Sequence, residues 1–330
     1  MGAKNSLNSS PRVLGGEGRK VEAVKSKVFR DAHNSFRLFF LTNRLLSCSR
    51  KKLLPLSNGS LSIRLIILPL LFTFTSSLLA QSVSPQIGSR PNGIGYASST
   101  LFDEWGVFNN IAGIAKLETI SAAFTYDLHS TLQGANRTAA AVAIPTKVGV
   151  IGTGVYRFGD NLYNEHLLSA GFSNKFGITS LGAQVNYIQY RVEGFGSKGV
   201  WSINLGGITE LTSKLSIGAY IVNIVQTTIS TEDKLPTKLM VGLGFKPIDK
   251  IFIAAEIEKD LDYDPTWKMG IEYKFHEKFF ARTGYNVNPN KAFFGLGFNT
   301  QKFAFDYSVQ HSTSLSLSHQ ATAAYHFPKK

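Results

Sequence analysis

The chain has 330 residues, with 35 Lys and Arg against 22 Asp and Glu, one cysteine, 43% hydrophobic and 17% charged residues. The formal charge of +13 is concentrated in residues 1–80; Gln81 onward carries only about +3, which leaves no basic stripe on the remainder and excludes a nucleic-acid partner. The lone Cys48 lies in the same N-terminal stretch, so a disulfide framework is excluded as well.

Residues 1–60 are basic and polar without a steady period, and are expected to be a non-structured extension. No methionine falls between Met1 and Met240, so translation is expected to start at an alternative codon read as leucine, Leu61. Residues 61–80 read as a secretory signal peptide. Arg64 precedes a short apolar run at 65–74, and small residues lead to a cleavage site at Ala80-Gln81. That run, interrupted by Pro69, is too short for a spanning helix. Residues 81–118 are rich in glycine and small side chains, and are expected to enter a lumen as a hatch or plug.

Residues 119–330 read as a transmembrane antiparallel β-barrel of about fourteen strands, so the fold class is all-β. Apolar residues recur at every second position: Leu239, Val241, Leu243, Phe245; Ile251, Ile253, Ala255, Ile257; Trp267, Met269, Ile271, Tyr273, Phe275. Between them lie polar or small residues, the pattern of strands with one face to lipid and one to a lumen. A soluble sandwich also alternates, so the connections decide. Alternate connections are short (Pro145-Thr146, His276 to Lys278), and those between are mostly longer and more polar (His129 to Asn136, Gln226 to Lys234), as in outer-membrane barrels.

On the predicted lumen face, Glu256, Glu258, Lys268, Glu272, Lys274, Arg282 and Asp306 are expected to form a polar network, either a structural filling or a gate. Inward glycines such as Gly242, Gly244, Gly270, Gly284, Gly295 and Gly297 are expected to make space and curvature. Tyr126, Trp267, Tyr273, Phe275, Tyr325 and Phe327 are assigned to interfacial girdles. No catalytic constellation is found: His311 and His319 flank Ser312, Ser314, Ser316 and Ser318, but triads assemble from distant positions. The seven histidines are scattered without paired spacing, so neither metal nor cofactor is expected.

Gly88, Arg90, Gly93, Gly95 and Ala97, followed by Asn110, Ala112 and Gly113, resemble the hatch of the fatty-acid transporter (FadL) superfamily of outer-membrane barrels. Ile111 stands at that family's proline position. The resemblance implies hatch or gating roles for Arg90, Gly93, Gly95, Asp103, Glu104, Trp105, Asn110, Ala112 and Gly113. The C-terminal motifs Arg282-Thr283-Gly284-Tyr285-Asn286 and Phe305-Asp306-Tyr307, with a closing strand through His319, Tyr325 and Phe327, are similar to the PorV/PorQ-like branch of Bacteroidetes type. What this implies is an outer-membrane protein with lipid and the barrel-assembly machinery as partners. The leading expectation is passive uptake of small hydrophobic compounds. The alternatives are an accessory barrel binding proteins of the type IX secretion system, and a structural barrel without transport.

Overall fold

The computed structural model describes residues 86–130, 134–229, 234–313 and 316–328. The expected extension, signal peptide and cleavage site lie outside the described residues.

Fourteen antiparallel strands close into one barrel in which every strand pairs with its sequence neighbours and β1 pairs with β14. The strands are β1 (Ser121–His129), β2 (Arg137–Thr146), β3 (Gly149–Gly159), β4 (Tyr163–Phe176), β5 (Thr179–Val192), β6 (Gly196–Glu210) and β7 (Leu215–Val222). They continue with β8 (Lys238–Ile248), β9 (Ile251–Asp260), β10 (Thr266–His276), β11 (Phe279–Val287), β12 (Lys291–Asn299), β13 (Phe303–Ser312) and β14 (Ser316–His326). Closure gives every strand a neighbour on both sides, which a hydrocarbon layer favours because it offers unpaired N–H and C=O groups nothing to bond.

The alternation predicted from sequence sets the two faces. Leu239, Val241, Leu243 and Phe245 of β8 are exposed outward while Met240 is buried and Gly242 and Gly244 face in. Large apolar side chains cover the outside from Phe124 to Phe305, the surface of a membrane-spanning barrel. The connections at one end hold two to four residues, and those at the other three to fifteen, the longest being 223–237. Several boundaries differ from the sequence reading; His129 and His276, for instance, close β1 and β10. Pro145 and Thr146 belong to β2, with the turn at Lys147 and Val148. Gly196, Ser197 and Lys198 extend β6 because they continue its ladder with β5.

Ahead of β1 the chain runs inside the barrel through a short helix α1 (Ser89–Gly93) and two 3-10 helices, η1 (Glu104–Val107) and η2 (Ile111–Lys116). Gly95 takes φ +68°, which reverses the chain after α1 at a position where glycine is strain-free. Asn110 caps η2, its Oδ1 accepting from the Ala112 amide at 3.1 Å.

Candidate functional site

The inward glycines of the wall explain how an irregular segment fits inside a closed barrel. A Cβ on Gly154 would meet the Phe108 ring, one on Gly171 or Gly182 the side chain of Ile111, and one on Gly242 the Ser99 hydroxyl. Farther round, a Cβ on Gly284 would meet Gly95 and Ile94, and one on Gly295 would approach the Gly93 Cα at 3.1 Å. These glycines let backbone or side chain of the segment lie directly on the wall. Ile111, at the position of the expected proline, is 1% exposed and fills the hollow over Gly171 and Gly182.

Clusters of charge tie the segment to the wall, two of them built on the predicted residues. Arg90 donates through Nε and Nη2 to both carboxylate oxygens of Glu272, each at 3.0 Å, and through Nη1 to Asp103 at 3.3 Å. Arg282, opposite Glu272 in the β10–β11 ladder, donates to Glu272 at 2.6 Å and to Asp306 at 2.6 Å. The bond to Asp306 spans β12 at Gly297, where a Cβ would collide with both partners. In the second cluster Lys268 Nζ lies 2.9 Å from Glu256 and 2.7 Å from Glu258, and also donates to the Tyr96 carbonyl at 3.4 Å. Glu256 in turn accepts from the Ser99 amide at 2.8 Å, and Glu258 from Lys238 at 2.9 Å.

Burial dominates the protonation of Asp103. Despite its contact with Arg90, and with Glu104, Glu272 and Asp306 nearby adding to the effect, its carboxyl is pushed up to about 7.

The remaining candidates lie as follows. Lys274 shares the face of Glu272 but sits nearer the turn, and its ammonium stands over the Phe280 ring at 6.0 Å rather than in the ion-pair cluster. Its place in the predicted network is therefore corrected. Glu104 faces His326 at 3.6 Å. Trp105 is 2% exposed, seated on Gly88 and stacked with Phe108 at 6.4 Å. Asn110 also donates to the Ser99 carbonyl at 2.6 Å and the Gly207 carbonyl at 3.2 Å. Ala112 is fully buried, and Gly113 lies against the Leu101 carbonyl.

On β14, His319 points outward and pairs with the Tyr307 hydroxyl at 2.6 Å, while Tyr325 packs on Phe327 at 4.7 Å. Ser312 and Ser318 face the lumen, so the alternation places them on the opposite side of the wall from His319.

Sequence reasoning missed a cavity. Strands β4, β5 and β6 are 14, 14 and 15 residues long, against 8 in β7, so the wall is tallest there. Their inward faces carry a row in register, Leu167, Ile188 and Val200, continued by Tyr156 on β3. Below it runs a polar row of Ser169, Asn186 and Ser202. A cavity of about 60 Å³ opens here above Phe108, lined also by Val222, Leu235 and Met240. The signal for it is that β5 is apolar on both faces, with Val185 outside and Ile188 and Val192 inside.

Beside the cavity the wall changes character. The β6–β7 ladder spans Leu205 to Glu210 of β6, and above it β6 meets a turn segment instead of a strand. Ile224 N donates to the Ile203 carbonyl at 2.9 Å, and Thr227 Oγ1 to the Trp201 carbonyl at 2.6 Å. Asn223, fully buried, fixes this segment through the Leu235 carbonyl at 2.9 Å.

Fold and lumen together define a membrane-spanning β-barrel of fourteen strands, with an N-terminal segment seated inside it and an apolar cavity above. Among solved structures the chain is similar to the Ralstonia pickettii toluene transporter TbuX (TM-score 0.60, 12% identity, 74% of this chain and 99% of that one). It is also similar to the P. putida toluene transporter TodX (TM-score 0.59, 11% identity, 75% and 100%) and to the CymD monoaromatic hydrocarbon channel (TM-score 0.58, 12% identity, 76% and 100%). No protein-family model and no curated protein matches the chain. At such identities the likeness is one of fold.

Proposed function

We propose that this barrel lies in a bacterial outer membrane and admits small hydrophobic compounds passively, in the manner of a fatty-acid-transporter-like channel. The observation that carries this reading is the cavity. A lumen that is elsewhere packed with the N-terminal segment or lined by paired charges turns apolar at Leu167, Ile188, Leu235 and Met240, where a small greasy ligand finds apolar surface to cover. The likeness in fold to toluene and monoaromatic hydrocarbon channels points the same way.

The segment at residues 86–118 acts as the hatch. Arg90 and Ser99 hold it to Glu272 and Glu256, and passage requires these contacts to give way or the ligand to leave sideways. The sideways route is the stretch of wall above β7, where turn bonds from Ile224 and Thr227 replace a strand ladder. Neither the PorV/PorQ-like secretion role nor a purely structural role gives the cavity a task.

The test is a deletion strain given labelled fatty acids or toluene, with secreted-protein levels followed in the same cultures. The reading predicts lost uptake with normal secretion. Normal uptake with cargo held in the periplasm would replace it with the secretion role.

A further inference from the structure

The outer face of the tall wall changes character near the end with the longer connections. Val155, Leu168, Tyr187 and Trp201 form one outward row in register, and the rings of Tyr187 and Trp201 lie 4.9 Å apart. One outward step above it, Arg157, His166 and Gln189 form the next row, and Arg191 stands a step higher on β5. Arg157, His166 and Arg191 are exposed. Neither arginine side chain makes a hydrogen bond or an ion pair among the described residues. Asp160, on the adjoining connection, is turned to the amides of Leu162 and Tyr163 at 2.8 and 3.1 Å. Elsewhere at this end the outward strand positions are mostly apolar or aromatic, as at Tyr126, Leu128, Leu239, Trp267 and Tyr285. The outward lysine of β9, Lys259, is spent on the Tyr263 carbonyl at 2.5 Å.

An arginine on the lipid face is costly at the bilayer midplane and nearly free of cost at its boundary. The aromatic pair below marks that boundary, because tyrosine and tryptophan rings seat at headgroup level. The two arginines therefore stand among headgroups rather than acyl chains. Strand spacing and rise put their Cα atoms about 12 Å apart, so both side chains can lean toward one group over His166. A guanidinium forks onto two oxygens of a phosphate and keeps its charge, and the imidazole adds an N–H donor. With no carboxylate of the chain neutralising them, the anion that completes the patch comes from the lipid.

We propose that this patch binds the phosphate of an outer-leaflet lipid headgroup, held between Arg157 and Arg191 over His166, while the acyl chains lie on Val155, Leu168 and Trp201. The inference goes beyond the uptake reading and shares with it only the outer-membrane placement.

The experiment measures, by native mass spectrometry, binding of lipid A, a glycolipid with two phosphates, to the full-length barrel in detergent micelles. Wild type, the double variant Arg157→Gln with Arg191→Gln, and Lys259→Gln are compared, with lipid A stripped of its phosphates and with sodium phosphate as a competing anion. The double variant is expected to bind lipid A on the order of tenfold more weakly, and Lys259→Gln to bind it as wild type does. The stripped lipid is expected to bind wild type no better than lipid A binds the double variant. Because neither arginine bonds to the rest of the chain, the double variant is expected to fold as wild type does. Equal lipid A binding in wild type and the double variant overturns the inference, as does an equal loss in Lys259→Gln or full binding of the stripped lipid. Displacement of lipid A by equimolar sodium phosphate makes the patch a site for free anions and overturns it too. Toluene binding is read in the same micelles: its absence from wild type would overturn the uptake reading and leave the lipid result to decide this inference.

Discussion

Arg90 is the residue on which the N-terminal segment turns. It is the cation from the segment that reaches both Asp103 and Glu272, and Glu272 is shared with Arg282 of the wall. Without Arg90, Glu272 keeps Arg282 but loses its charged bonds to the segment, a part-buried contact that contributes on the order of 1–3 kcal/mol. Arg90→Met is therefore predicted to speed amide hydrogen exchange across residues 86–118 by on the order of a hundredfold while strand amides keep their protection. Unchanged exchange would show that the segment is held without the Arg90 pair.

Asp103 gives a pH dependence with a definite sign. Buried, it keeps its proton up to about 7, against 3.8 for the free side chain. The docked segment thus binds an extra proton between those values. Its stability is full below the free value, falls as pH rises toward 7 and is flat beyond. Protection factors of the segment measured between pH 4 and 8 should show this decline in wild type and lose it in Asp103→Asn. Arg90 and Asp103 were legible in the sequence as hatch candidates. The seat of Tyr156 against Phe108 was not, because it depends on where the N-terminal segment lies in the lumen.

At the scale of elements, the wall glycines and the segment require one another. A Cβ on Gly284 would press into the backbone of Ile94 and Gly95, where no side chain can rotate away. Gly284→Val is predicted to expel this part of the segment and raise single-channel conductance in planar bilayers well above wild type. Gly207→Ala, outward and no nearer than 3.3 Å to Leu181, should leave conductance unchanged and stability within about 0.5 kcal/mol.

Strand existence and facing were readable because a period of two survives any error in boundaries, as Leu239 to Phe245 and Trp267 to Phe275 show. The glycines were readable as inward positions, but the reason for them depends on where residues 94–114 lie. In β4 to β6 apolar side chains on the lumen face break the contrast between faces, so the cavity at Leu167 and Ile188 shows in the sequence only as a β5 that is apolar on both faces. Lys274 lay on the correct face, yet register alone did not reveal that it stands beyond the cluster.

For the whole molecule, closure of the sheet, an apolar exterior and a filled lumen set three features in line for a hydrophobic ligand: the cavity, the segment beneath it and the wall above β7. The account joins them in one route for small hydrophobic compounds. The most direct test is initial uptake of labelled toluene by cells of a host lacking its own hydrocarbon channel, expressing wild type or Ile188→Trp at equal outer-membrane levels. The account predicts faster uptake with wild type than with empty cells, and a return to the empty-cell rate with Ile188→Trp. Equal rates in all three would contradict it.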